Sequence, residues 1–80
     1  MKTLIQVISR VLETKNMITR ETTPSDIETW DSFNGLVLIS ELEKNFNIKF
    51  TITEVYDIKN VGQIADYLRK HGIKDGLDGL

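Results

Sequence analysis

The sequence predicts an all-α domain, a four-helix bundle with a long first loop and a short third helix. Its longer apolar stretches repeat every three or four residues, which is the spacing of amphipathic helices. Residues that favour helix N-termini precede these stretches. A single segment alternates as a strand would, and without a partner segment an isolated strand cannot satisfy its backbone hydrogen bonds.

Length and composition exclude several classes of protein. The chain has 80 residues, so one small core is expected, and without cysteine it can have neither disulfides nor zinc–thiolate sites. A single histidine also excludes multi-histidine metal sites. No apolar run is long enough to span a membrane, so no membrane insertion is expected. The first residues turn polar too soon for a secretory signal, so we expect a cytoplasmic protein.

Helix one is predicted near residues 4–15. Thr3 and Gln6 have the spacing of a capping box. The apolar residues after Thr3 then recur at helical spacing: Leu4, Ile5, Ile8, Val11 and Leu12. Lys15 suits the negative end of a helix, and Asn16 is a residue type that ends helices.

The long loop covers residues 16–30, where no periodicity is sustained. It is rich in residues that form turns and caps, and Ser25 with Glu28 has the spacing to cap one short turn. Loops of this length in small domains are usually functional or pinned by their own apolar side chains. We expect Ile27 and Trp30 to face inward as such pins.

Helix two is predicted near residues 32–46 and is apolar on two sides. On a helical wheel, four residues fall within a ~100° arc and form an ordinary core stripe: Leu38, Ile39, Leu42 and Phe46. A second stripe lies on nearly the opposite side and becomes polar towards its end: Phe33, Leu36, Val37, Ser40 and Lys44.

Three explanations are open for this second stripe. The long loop or helix three could cover it, especially at Leu36, or it could consist of scattered surface residues that need no explanation. Because three apolar residues flank the helix start together, we favour a binding surface. Gly35 lies one turn after Ser32 and leaves room either for a partner or for tight packing against the core.

The segment after helix two is predicted to be an extended connection. Residues 48–52 alternate in polarity, and we expect them to bury Ile48, Phe50 or Ile52 over the helix ends. Helix three is short, near residues 53–58, with Thr53 as its N-cap.

Helix four is predicted to begin after Asn60, with Gln63 placed to complete a capping box. Cationic residues occupy its last turn, and Gly72 ends it. The predicted domain therefore spans residues 1–72, and the glycine-rich residues 73–80 are expected to form a flexible tail.

Charge is distributed unevenly along the chain. Residues 1–20 carry net +3, residues 21–58 carry net −6 and residues 59–80 carry net +1. Nucleic acid is disfavoured as a partner because its binding needs a basic stripe. A partner with a basic patch fits the acidic middle better, although most single charges simply solvate a surface.

Ser32, at the start of helix two, is the candidate chemical centre. As a catalytic serine it lacks an activating base, because the only histidine, His71, is predicted in the last turn of helix four. As a phosphorylated attachment point it fits, because a helix N-terminus offers unpaired N–H groups and partial positive charge. The simpler interpretation is that Asp31 or Ser32 only caps the helix.

The stretch Trp30-Asp31-Ser32-Phe33 resembles the attachment motif of the acyl carrier protein family. Members of that family are small helical domains that carry a phosphopantetheine arm on the serine of an Asp-Ser-Leu-like motif. Residues 42–50 are similar to the family's ending of helix two, and residues 58–68 to its entry into helix four. The likeness spans about residues 4–70.

The resemblance implies a carrier that is not itself an enzyme. Ser32 would hold a covalent 4′-phosphopantetheine arm taken from coenzyme A by a separate phosphopantetheinyl transferase, with Asp31 as a contact for that transferase. The arm would present acyl thioesters to loading, condensing or transferring enzymes of fatty-acid, polyketide or related biosynthesis. A monomer is expected. The residues that match the family's partner-recognition face are those of the second stripe: Phe33, Leu36, Val37, Ser40 and Lys44.

Two positions depart from the pattern of fatty-acid carriers, which usually have acidic residues where this chain has Asn34 and Val37. A carrier for a polyketide, aminoacyl, peptidyl or unusual lipid pathway therefore fits as well. A hypothesis of another class is an unmodified helical adaptor whose stripe, centred on Phe33, Leu36 and Val37, binds a partner helix. Such an adaptor would not need Ser32.

Overall fold

The computed structural model describes residues 2–80, in which there are four helices and no strand. They are α1 (Leu4–Val11), α2 (Ser32–Phe46), α3 (Ile52–Asp57) and α4 (Val61–Lys70). The predicted all-α, four-helix architecture with a long first loop and a short third helix is therefore confirmed. Met1, the first residue of the predicted domain, lies outside the described range. No described helix is long and apolar enough to cross a membrane.

The core lies where the apolar faces of the three longer helices meet. Its helical members are Leu4, Val7 and Ile8 of α1, Leu38, Leu42 and Phe46 of α2, and Val61, Ile64, Ala65 and Leu68 of α4. Each fully buried leucine or isoleucine contributes about 1.5–3 kcal/mol of transfer free energy. Ile39, which the sequence places in the core stripe of α2, is only half-buried.

The first helix begins as predicted and ends early. Thr3 and Gln6 form both hydrogen bonds of the capping box. The helix stops at Val11, about four residues before the predicted end near 15, because Glu13 adopts a left-handed conformation with φ of 50°. A helix cannot continue through such a residue.

The long loop is pinned by its own apolar residues, as predicted. Ile27 and Trp30 face inward, together with Ile18. The turn expected from Ser25 and Glu28 does not form. Instead, the Asp26 carboxylate accepts the backbone N–H of Thr23 at 2.9 Å, and the Asp26 N–H donates to the Thr23 carbonyl at 2.9 Å.

The same loop receives the start of α4. The N–H groups of Val61 and Gly62 donate to the carbonyls of Thr22 and Arg20, at 3.0 and 2.9 Å. A Cβ on Gly62 would lie only 3.0–3.1 Å from atoms of the Arg20 side chain, so the glycine allows this close approach. These bonds satisfy two helix N–H groups that would otherwise be unpaired.

The N-cap of the third helix lies two residues earlier than predicted. Thr51, and not Thr53, is the N-cap, because only Thr51 has a glutamate three residues later. The Thr51 hydroxyl accepts the Glu54 N–H at 3.1 Å, and the Glu54 carboxylate accepts the Thr51 N–H at 2.9 Å. In the extended connection before α3, Ile48 and Phe50 pack against the core, whereas Ile52, the first residue of α3, is exposed.

Residues 73–80, which composition predicts to be a flexible tail, pack against the domain in the structure. Leu77 is buried in the core. The N–H of Leu4 donates to the Gly76 carbonyl at 2.7 Å, and the N–H of Ile5 donates to the Asp78 carboxylate at 2.8 Å. The segment thus supplies partners for the unpaired N–H groups at the start of α1, which composition alone does not reveal.

Candidate attachment site and docking surface

The start of α2 assigns different tasks to Asp31 and Ser32. Asp31 is the N-cap, and its Oδ1 accepts the backbone N–H of Asn34 at 2.8 Å. Ser32 is the first residue of the helix, and its side chain is exposed. Within residues 2–80 the Ser32 hydroxyl takes part in no hydrogen bond. Capping therefore does not occupy it, and it is accessible from outside.

The backbone turn before Ser32 is held in place by hydrogen bonds, including one from Asn34 and one from Trp30. The Asn34 side-chain amide donates to the Thr29 carbonyl at 2.8 Å. The Trp30 N–H donates to the Ile27 carbonyl at 2.9 Å. Because Asn34 needs its amide group for this bond, an acidic residue at that position could not replace it.

The electrostatics at this helix start suit an attached phosphodiester. The N–H groups of Ser32 and Phe33 point out of the first turn and have no acceptor in the described part of the chain. Such groups, together with the helix dipole, stabilise anions by hydrogen bonding and partial positive charge. The exposed hydroxyl and the free N–H groups therefore fit a phosphate ester on Ser32.

A groove of about 530 Å³ opens beside Ser32, between α2 and α3. This volume lies within the range of roughly 300–1,000 Å³ that small-molecule sites occupy. Asp31 and Ser32 stand at its polar end, and Trp30 and Gly35 line it next to them. The other walls are mostly apolar, formed by Leu36, Leu38, Ile39, Val55, Ile58 and Ile64. A flexible chain attached to Ser32 could thus enter an apolar space directly.

The second stripe of α2 lies largely on the surface. Phe33 is 73% exposed and Leu36 is 63% exposed, so neither the long loop nor α3 covers them. Ser40 and Lys44 are exposed too, and Val37 is half-buried. The Lys44 ammonium lies 3.5 Å from the Glu41 carboxylate.

Two apolar residues of α3 are also exposed, and the sequence alone does not identify them as part of a surface. Ile52 and Tyr56 are 75% and 76% exposed. They are four residues apart, so they share one face of α3. Tyr56 lines the groove opposite Leu36 of α2. Their i, i+4 spacing was visible in the sequence, but only the packing of α3 shows that this face is left uncovered.

Gly35 is not required by tight packing. A Cβ at this position would lie 3.5 Å from the Trp30 Nε1 and 3.8 Å from the Trp30 Cδ1, which are ordinary van der Waals distances. Packing against the core therefore does not explain the glycine.

The only histidine is engaged elsewhere, with the His71 Nε2 2.9 Å from the Glu54 carboxylate.

A family model described as "Phosphopantetheine attachment site" matches residues 2–68. The chain belongs to this family. Carrier domains of this family are not enzymes, and they hold 4′-phosphopantetheine covalently. Carrier proteins in general interact with a phosphopantetheinyl transferase and with biosynthetic enzymes.

Two solved structures support the same assignment. One is the holo acyl carrier protein from Geobacter metallireducens, 38% identical, with a TM-score of 0.77 over 88% of this chain and 85% of that one. The other is a protein assigned as an acyl carrier protein from Mycobacterium tuberculosis, 29% identical, with a TM-score of 0.78 over 85% of this chain and 92% of that one. Among curated proteins, none matches this carrier domain significantly.

Proposed function

We propose that Ser32 is the residue that carries 4′-phosphopantetheine and that this carrier holds acyl groups as thioesters on the arm. The observation that supports this most is the division of tasks at the start of α2. Asp31 caps the helix, and the Ser32 hydroxyl is left exposed beside free N–H groups and an apolar groove. A serine needed only as a helix cap would have its oxygen on a backbone N–H.

Attachment is a substitution at phosphorus. The Ser32 oxygen forms a new P–O bond to the phosphopantetheine half of coenzyme A, and the bond within the diphosphate breaks. The hydroxyl proton goes to a base of the transferase, because the adjacent Asp31 carboxylate is engaged in capping the helix, and adenosine 3′,5′-bisphosphate leaves. Once attached, the arm supplies a terminal thiol that forms thioesters, a group that the cysteine-free chain lacks.

The stripe of Phe33, Leu36, Val37, Ser40 and Lys44 is proposed as the surface on which the transferase and the acyl-handling enzymes dock. The exposed Ile52 and Tyr56 of α3 are proposed to extend it, because Tyr56 lines the groove together with Leu36. Large exposed apolar side chains next to a reactive group are typical of interaction sites. Asp31 is proposed to contact the transferase.

The apolar lining of the groove favours an acyl cargo over an aminoacyl or peptidyl one. A charged amino group placed there would lose its hydration without gaining a partner. Enzymes of fatty-acid, polyketide or related lipid biosynthesis are accordingly proposed as the partners.

The decisive experiment is intact mass after incubation with coenzyme A and a broad-specificity phosphopantetheinyl transferase. The wild type should gain one phosphopantetheine unit, and Ser32→Ala should gain none. Ser25→Ala is the matched control, because Ser25 is an exposed serine of the preceding loop, and it should load as the wild type does. A folded wild type that stays unmodified would favour the adaptor hypothesis, in which the stripe binds a partner and Ser32 has no role.

A further inference from the structure

The indole N–H of Trp30 lies at the groove and has no hydrogen-bond partner within residues 2–80. The residue is only 8% exposed. Among residues 2–80, however, nothing accepts a hydrogen bond from its Nε1. The nitrogen is also not sealed off, because the described residues contain no fully buried side-chain nitrogen or oxygen that lacks a partner. Buried tryptophans usually pair their N–H, so a donor left open towards a groove needs an explanation.

Gly35 leaves this donor uncovered. The two ring atoms nearest to its missing Cβ are the Nε1, at 3.5 Å, and the Cδ1, at 3.8 Å. The edge of the indole that bears the N–H therefore faces the glycine, and both residues line the groove. Any side chain at position 35 would place a carbon against that edge.

The position of this edge relative to Ser32 determines what can reach it. Gly35 follows Ser32 by three residues, which is about one turn, or roughly 4.5 Å along the helix axis. A phosphate on the Ser32 oxygen would stand at the helix start, among the free N–H groups and water. The indole edge lies further along, where the groove is mostly apolar, and a neutral acceptor is desolvated there at far lower cost than a phosphate.

We propose that Trp30 and Gly35 form a binding subsite for the arm, in which the indole N–H donates a hydrogen bond to an amide carbonyl oxygen of 4′-phosphopantetheine. Gly35 provides the room for that carbonyl. This inference rests on the proposed attachment to Ser32. The subsite would hold the arm along the groove and direct its thiol end towards the apolar walls.

The test follows the Trp30 indole signal of uniformly ¹⁵N-labelled protein before and after enzymatic loading. Because Trp30 is the only tryptophan, the signal is unambiguous. Loading should move the indole proton downfield and slow its exchange with water. Nuclear Overhauser contacts should join it to protons beside an amide of the unlabelled arm.

The matched variant is Gly35→Ala. Alanine is a better helix former than glycine, and its methyl group meets only ordinary contact distances, so the variant should fold. Once intact mass verifies that it is loaded, it should lack the indole response, because the methyl group covers the N–H edge. Ser25→Ala should keep the response.

The outcomes separate this inference from the attachment itself. Full mass gain on Ser32 with an unchanged indole signal would overturn the subsite and leave the attachment standing. Contacts from the indole proton only to the Ser32 side of the arm would overturn the amide assignment. An unmodified wild type would overturn both. An undiminished response in loaded Gly35→Ala would show that Gly35 has no part in the subsite.

Discussion

Asp31 and Ser32 are neighbours with different roles. The side chain of Asp31 caps the helix, whereas that of Ser32 is available for reaction. Sequence alone left open which of them caps α2, because both residue types are good N-caps. The structure places the Asp31 carboxylate on the Asn34 N–H, so the charge and the capping oxygen of Asp31 can be tested separately.

Replacing Asp31 by alanine removes the cap as well as the charge, whereas asparagine removes only the charge. We expect Asp31→Ala to lower the free energy of unfolding by about 0.5–2 kcal/mol and Asp31→Asn to change it little. Both variants should be loaded more slowly if the transferase contacts the carboxylate. Thermal unfolding and initial loading rates measure the two effects. Asp31→Asn loaded at the wild-type rate would remove the proposed transferase contact.

A substitution of Phe33 tests the proposed docking surface with a single residue. Because its side chain is 73% exposed, Phe33→Asp should leave the free energy of unfolding within about 0.5 kcal/mol of the wild type. It should raise the KM of loading by the transferase, since an apolar contact is lost. Thermal unfolding and loading kinetics together provide the measurement. A collapse of the fold would mean that Phe33 belongs to the core and that this side of α2 is not a docking surface.

At the scale of elements, α3 is held to the end of α4 by one buried carboxylate. Glu54 of α3 is only 4% exposed. Its carboxylate lies 2.9 Å from the His71 Nε2, accepts the Thr51 N–H, and lies 3.4 Å from the Lys70 ammonium. Hydrogen bonds lower the pKa of Glu54 from 4.5 to about 2. The bond from His71 has the largest effect, and the bond from Thr51 has the second largest.

Glu54→Gln should loosen this connection while keeping the capping box, because glutamine also serves at that position. A hydrogen bond to a charged group contributes about 1.5–3 kcal/mol, so we expect a loss of that order near neutral pH. Since the folded-state pKa is depressed, the carboxylate stabilises the fold fully above pH 4.5, and this contribution is lost as the pH falls towards 2.

Urea unfolding of the wild type and Glu54→Gln between pH 7 and pH 2 measures this dependence. The difference between the two proteins should shrink as the pH falls below 4.5. Glu28→Gln is the matched control, because Glu28 is exposed in the loop, and it should behave as the wild type at every pH. A difference that stays constant down to pH 2 would mean that the Glu54 charge does not stabilise α3.

The elements differ in how well the sequence predicts them. Helix α2 was predicted with its observed bounds, because its caps and its apolar spacing agree. Thr53 was wrong as the cap of α3 although the Thr51–Glu54 pair is a visible capping box, so there a local signal was overlooked. The early end of α1 has a different origin, since the left-handed conformation of Glu13 depends on how the following loop packs.

At the scale of the whole molecule, both ends of the described chain meet. Leu77 fills the core, and Gly76 and Asp78 accept the first N–H groups of α1. We expect Leu77→Ala to lower the free energy of unfolding by about 2–5 kcal/mol, the usual cost of emptying a leucine site. Urea unfolding measures it, with the exposed Lys74→Ala as a control that should have little effect. An unchanged midpoint would mean that the segment is not anchored.

The groove shows where prediction from sequence ends. Ser32 and the outward stripe of α2 are local features, so spacing within one helix is enough to propose them. The groove instead needs Trp30 of the loop, Leu36 of α2 and Val55 of α3 side by side. Its existence depends on how these elements approach one another, which one sequence does not specify. That the indole N–H has no acceptor among residues 2–80 can be seen only in the three-dimensional structure.

Trp30 also has an optical consequence. The fluorescence of an indole changes in wavelength and intensity with the polarity of its surroundings, and this chain has no second tryptophan to obscure the emission. The ring borders the space beside Ser32. Emission spectra recorded during a reaction would therefore report when that space becomes occupied, in real time and without a label.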